Sequence, residues 1–227
     1  VITWELLVER LNSDLANVLG NLVNRTISMS NKYFGGQVSD KKAAEPVDEE
    51  LKAAAVETVK KVNAKMDELR VADAISEIFA LFKRCNKYID ETMPWALAKD
   101  ETKRDRLATV LYNLVESICM GASLLESFMP ETSAVILKQV GGKKRTLSEL
   151  AQFGLYGEGQ VTDKPEILFA RLDVKEVLKK VEALQAAQAA EAAKEAKTAA
   201  GQQAEGPKDG AAEGEAQAVG NPGEAAA

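Results

Sequence analysis

The chain has 227 residues, 46% of them hydrophobic but only 5% aromatic, and a formal net charge of −6. It contains no histidine, which excludes Ser-His-Asp and Cys-His catalysis, histidine metal sites and imidazole acid–base chemistry. The mildly negative balance excludes nucleic-acid binding by bulk charge alone, but not a local basic patch.

Composition is uneven along the chain. From Ala183 onward the residues are mostly Ala, Glu, Gln, Gly and Lys, and that tail holds 7 acidic and 3 basic residues, −4 of the −6. Residues 1–182 hold every aromatic and suffice for one packed core. The expected organisation is therefore a helical domain over 1–182, then a helix end and disordered linker over 183–227. Cys85 and Cys119 lie far apart with no CxxC spacing and read as buried thiols of a reducing cytosol. No apolar run approaches the ~18 residues of a membrane span, and no signal peptide is evident. The expected location is cytoplasmic, with no membrane partner. Val1 opens the chain inside a helix lead-in, which reads as a piece of a longer protein.

Helical periodicity dominates. Thr3 is placed to cap a short helix, "WELLVERLN". Asn12 or Ser13 then caps a long one, with Leu15, Val18, Leu19, Leu22, Val23, Ile27, Met29 and Tyr33 on its apolar stripe. Gly35 or Gly36 ends it as the left-handed residue. A polar loop leads to "EELKAAAVETVKKVNAKMDELR" and "VADAISEIFALFKRCNKYIDE", separated by a slight kink near Val71. Pro94 stops the second, because proline inside a helix removes a hydrogen bond. "KDETKRDRLATVLYNLVESICMGASLLESFM" is the strongest helix, ending before Pro130, and "ETSAVILKQVG" follows. Residues 141–161 read as a loop with one helical turn at "LSELA". "EILFARLD" is a short extended strap, and an Asp-capped, alanine-rich helix loses its apolar stripe after Leu184. The predicted fold is an all-α bundle with a C-terminal strap.

Two features carry a candidate chemistry. Asn17, Asn21 and Arg25 stand at i, i+4, i+8, with Ser28 and Lys32 close to the same face. Polar helical faces are usually just solvated, yet asparagine is a poor helix former, and amide and guanidinium groups in a row suit bases and phosphates. Trp95, directly after Pro94 at a helix-breaking corner, is either a core plug or a rigid platform for an unpaired base. The acidic runs "DEE", "DE" and "KDETKRDR" read as ion pairs on solvated faces. "GGKKR" (Gly141 to Arg145) reads as a solubilising loop or a phosphate contact.

Five blocks in order, "NSDLANVLGNLVNRTISMSNKYFGG", "CNKYIDETMPWALAKDE", "LATVLYNLVESI", "FMPETSAVILKQVG" and "EILFARLD", resemble the C-terminal anticodon-binding region of bacterial methionyl-tRNA synthetase, from about Glu9 to Asp173. The resemblance implies an α-helix bundle that reads the CAU anticodon of methionine tRNA, with contacts from Asn21, Arg25 and Trp95, Pro94 before the Trp, and Lys32 as a basic neighbour. It implies as partners that tRNA and the parent's own catalytic domain, with no DNA. The HIGH and KMSKS signatures are absent, so this chain alone is expected to be inactive and to hold no cofactor; ATP, methionine and, in some relatives, zinc bind the missing catalytic part. The family's strap reads LFPRID, whereas Ala170 stands here in place of the proline, which bears on strap rigidity rather than RNA reading. The other class of function consistent with the helical pattern is a protein-interaction or assembly module without an RNA role.

Overall fold

A computed structural model describes residues 2–203 of the chain, and its side chains over 2–195. Residues Val1–Leu178 form one compact unit, and a second begins at Lys179. The first is all-helical apart from one small ladder.

Helix α1 (Trp4–Arg10) starts where the Thr3 hydroxyl accepts a hydrogen bond from the Leu6 N–H at 3.2 Å. No new helix begins at Asn12 or Ser13. The chain instead runs on through a π-helical stretch, Leu11–Gly20, into α2 (Asn21–Phe34). Asn12 is unavailable as a cap because its amide is committed to the strap: Nδ2 donates to the Leu172 carbonyl at 2.9 Å, and Oδ1 accepts from the Leu172 N–H at 2.8 Å. Gly35 and Gly36 end α2 with φ of +59° and +85°. A side chain at Gly36 would also meet Asn31 Oδ1 at 2.7 Å, so this stop requires glycine. From there β1 (Gln37–Ser39) pairs antiparallel with β2 (Glu158–Gln160), Val38 opposite Gly159.

Helices α3 (Pro46–Asp67) and α4 (Val71–Thr92) form an antiparallel hairpin, so the expected slight kink near Val71 is a full reversal. The turn is a Schellman motif: Arg70 N–H donates to the Lys65 carbonyl at 2.8 Å and Leu69 N–H to that of Met66 at 2.9 Å. Leu69 occupies the left-handed position, φ +58°, in place of glycine. Lys61 pairs with Glu77 and Arg84 with Glu50 across the hairpin.

As expected, Pro94 ends α4. Met93 turns the chain with φ +45°, and Pro94 opens a single-turn helix, α5 (Pro94–Leu97). A 3₁₀ turn, Glu101–Lys103, leads into α6 (Arg104–Leu125), which stops four residues before the expected end. Buried from Arg106 to Leu125, α6 is the central rod of the bundle. The segment Glu101–Leu125 is long and apolar enough by length and composition to cross a bilayer, with mean hydropathy 1.4, which the sequence reading did not anticipate; its apolar window is wholly buried within the protein. Around it pack α2, α3, α4 and α7 (Pro130–Gln139), with Leu22, Ile27, Leu51, Ile78, Phe82, Ile89, Leu114 and Ile118 in the core.

The loop after α7 carries a one-turn helix, α8 (Leu147–Leu150), closed by a Thr146/Glu149 capping box. The strap over 166–173 pairs with neither strand, and α9 (Val174–Gln203) follows as continuous helix past Leu184. Of the helix end and linker expected over 183–227, residues 183–203 are helix and 204–227 lie outside the described residues.

Three charged stretches read as solvated or loop-borne in fact supply buried pairs. Arg106 donates through both Nη atoms to Asp48 at 2.8 Å, and the Tyr88 hydroxyl donates to the same carboxylate at 2.6 Å. Arg145, from the basic loop, donates to both oxygens of Glu116 at 2.7 and 2.6 Å. Lys144, by contrast, meets Glu126 at 2.6 Å in a surface pair. "GGKKR" therefore commits one of its three cations, Arg145, to the interior, because a loop crossing a buried helix needs its polar groups satisfied. Cys85 and Cys119 are buried and unpaired, and burial pushes both thiols up to about 12.

Candidate nucleic-acid interface

The corner at Pro94 and the polar side of α2 face one another. Pro94 is buried, which fixes the start of α5, while Trp95, the next residue, keeps 42% of its surface exposed. The backbone makes this possible: Met93 in the left-handed region turns the chain away from the α4 axis, and Ala96 N–H closes onto the Met93 carbonyl at 2.8 Å. Trp95 makes no ring contact with another aromatic among the described residues. A rigidly seated indole with an open face is a stacking surface.

Trp95 borders an open groove of about 290 Å³ whose other walls are Asn24, Arg25, Ser28, Met29, Lys32 and Tyr33, all on α2. Arg25, Lys32 and Trp95 thus share one cleft. Asn21, one turn earlier and exposed, lies instead in an adjoining groove with Asn17, Asn24 and the strap residues Leu168, Phe169 and Arg171. Asn24 lines both grooves. Sequence reasoning passed over it because it follows the i, i+3 spacing from Asn21 rather than the i, i+4 row. Met29 and Tyr33 were placed on the apolar stripe, yet both are only partly buried and form a groove wall. Phe169 of the strap comes within 3.7 Å of where a Cβ on Gly20 would sit, so the strap closes directly onto this helix.

The electrostatics leave donors available. Arg25 Nη2, itself partly buried, is 3.7 Å from Oδ1 of the largely exposed Asp90, a long surface contact worth at most about 1 kcal/mol. Lys32 Nζ sits 5.3 Å from the Tyr33 ring centroid and has no carboxylate partner among the described residues. The cleft therefore offers an aromatic face, a guanidinium, an ammonium and an amide, the groups that stack, fork to and neutralise a single-stranded nucleotide. Among the described residues no group of three or more Cys, Asp or Glu is placed to hold a metal ion.

Comparison with known proteins gives this cleft its context. Residues 38–194 match the family model described as the anticodon binding domain of methionyl tRNA ligase. That span includes Pro94 and Trp95 and begins after Asn21, Arg25 and Lys32. Methionine--tRNA ligase of Caldanaerobacter subterraneus subsp. tengcongensis is 47% identical over 183 residues, 80% of this chain and 29% of the relative. That of Clostridium perfringens is 44% identical over 180 residues, 79% of this chain and 28% of the relative. In three dimensions the chain is similar to the apo crystal structure of Mycobacterium tuberculosis methionyl-tRNA synthetase, with a TM-score of 0.69, 30% identity and coverage of 76% of this chain and 35% of that one. The chain spans less than a third of the length of the curated relatives it matches. From the bundle, the family model and these relatives together, the chain belongs to the anticodon-binding domain family of methionyl-tRNA ligase.

Proposed function

We propose that this chain reads the CAU anticodon of methionine tRNA on behalf of a methionine--tRNA ligase. Trp95 stacks one unpaired anticodon base, Arg25 and Asn21 read base edges, and Lys32 neutralises backbone charge, while Pro94 holds the platform. The observation that carries the reading is the single cleft bordered by Arg25, Lys32 and a half-exposed Trp95. Stacking accepts any base, so preference for CAU falls to the amide and guanidinium donors. ATP, methionine and any zinc belong to the catalytic part of such a ligase, which is the chain's second partner. The exposed apolar side chains of Trp4, Leu6 and Leu7 on α1 give that part a face to meet. The reading places the protein in the cytoplasm and gives it no DNA or membrane partner.

Binding of this chain to an RNA stem-loop with a CAU loop, beside the same stem with the loop scrambled, tests the proposal. Tighter binding to CAU is expected; equal binding to both would refute anticodon reading.

A further inference from the structure

Beyond Trp95 the cleft does not close. Lys32 and Tyr33 also line a second groove of about 210 Å³, whose far wall is Leu97, Ala98, Asp100, Glu101 and Arg104. Arg104 opens α6, and its guanidinium lies 4.9 Å from the Phe34 ring centroid. A guanidinium resting on a ring uses its face and leaves its in-plane N–H donors available. The carboxylate paired with Arg104 among the described residues, Glu101, is 4.0 Å away and largely exposed. Asp100, though exposed, is held by its own turn, accepting from the Thr102 N–H at 3.0 Å and the Thr102 hydroxyl at 2.6 Å. The groove thus presents two cations, Lys32 and Arg104, whose positions are set by aromatic rings, and two carboxylates, one engaged by the backbone and one free to swing into water.

We propose that this second groove holds the phosphodiester next to the nucleotide stacked on Trp95, Arg104 forking to its oxygens and Lys32 bridging the two grooves. The inference rests on the anticodon reading above and extends it: Trp95 holds a base, and the α2–α6 groove fixes the direction in which the strand leaves. A contact to phosphate orients the strand without reading sequence.

The test uses stem-loops in which each loop phosphate in turn is replaced by an uncharged methylphosphonate. The wild-type chain should lose about five- to tenfold in affinity at one phosphate adjacent to the stacked nucleotide. Arg104→Gln should lose the same factor on unmodified RNA, for CAU and scrambled loops alike, and be indifferent to that methylphosphonate. Its salt slope should fall by about 0.7, one contact to a single strand. Arg104→Lys should recover part of the loss, and melting curves should match across the variants, since the side chain is more than half exposed. Wild-type affinity in Arg104→Gln, or unchanged sensitivity to the same methylphosphonate, overturns this site while leaving the Trp95 cleft intact. A wild-type chain that binds no loop overturns both.

Discussion

Glu116 and Arg145 meet inside the bundle as a two-pronged pair, and the same carboxylate also accepts the backbone N–H groups of Gly154, Leu155 and Tyr156 at 2.6, 3.0 and 2.9 Å. One buried acid on α6 thus ties down two separate parts of the long C-terminal loop. Removing one partner of a buried pair strands the other, so Glu116→Ala or Arg145→Met should destabilise the domain by about 3–5 kcal/mol, read by urea denaturation. A change below about 1 kcal/mol would show that water replaces the lost partner.

Trp95→Ala should weaken CAU stem-loop binding roughly ten- to a hundredfold, from stacking worth about 1–3 kcal/mol per base. Its melting temperature should barely move, because the ring is substantially exposed. A buried tryptophan would cost about 3–5 kcal/mol on truncation, so a collapsed melt with unchanged binding per folded molecule would reassign Trp95 to the core.

Asn21→Ala and Arg25→Ala should lower the ratio of CAU to scrambled-loop affinity, Arg25→Ala also reducing the salt slope. Asp90→Asn removes the carboxylate facing Arg25 and should tighten RNA binding about two- to threefold, with stability altered by less than about 1 kcal/mol. Weaker binding in Asp90→Asn would mean that Asp90 positions Arg25 rather than competing for it.

Leu69→Gly should stabilise the protein by about 1 kcal/mol. Leu69 is almost fully exposed, holds φ +58°, and contributes a left-handed backbone that glycine adopts without the side-chain clash. Thermal denaturation checks this, with Leu69→Val, β-branched at the same φ, expected to lower the melting point.

Alkali should unfold the domain in a defined window. Burial raises Cys85 and Cys119 from 9.0 to about 12, so the folded state retains protons that the unfolded chain releases. Their contribution is complete below pH 9 and is lost as pH rises towards about 12, at about 1.4 kcal/mol per thiol per pH unit. Tyr88 and Tyr156 are raised in the same direction, chiefly by burial, and steepen the loss above pH 10. Cys85→Ala/Cys119→Ala should flatten the stability–pH curve between 9 and 10; an unchanged slope there would exclude the thiols as its source.

Much of this architecture is legible in the chain because the decisive residues act locally. Thr3 through its hydroxyl, and the Gly35–Gly36 pair and Pro94 through their backbones, each impose their boundary locally. What escapes a linear reading is settled by partners distant in sequence. Asn12 fails as a cap because Leu172 occupies its amide, and Arg106 and Arg145 look solvated until Asp48 and Glu116 are brought against them. The three-residue strands are too short to show alternation, and Leu69 takes a glycine's place without any sequence sign. Of the cleft, the Asn17–Asn21–Arg25 row and the Pro94–Trp95 corner are visible in sequence. The division of that row between two grooves depends on where the strap lands.

The π-helical stretch between α1 and α2 bears on how this chain would tolerate the loss of a residue. In Leu11–Gly20 a wider turn is already built in, with Asn21 N–H reaching back to the Ala16 carbonyl. Losing one residue there would tighten a turn to the ordinary spacing instead of breaking the rod. The segment bearing Trp4 and Leu7 would then swing by about 100° around the axis, while α2, anchored by Leu22 and Ile27 in the core, would keep Arg25 opposite Trp95. The stretch acts as an indexing joint: losing one residue resets the heading of the first helix at the expense of the Asn12–Leu172 tie and the buried Val8, while Arg25 and Trp95 keep their places.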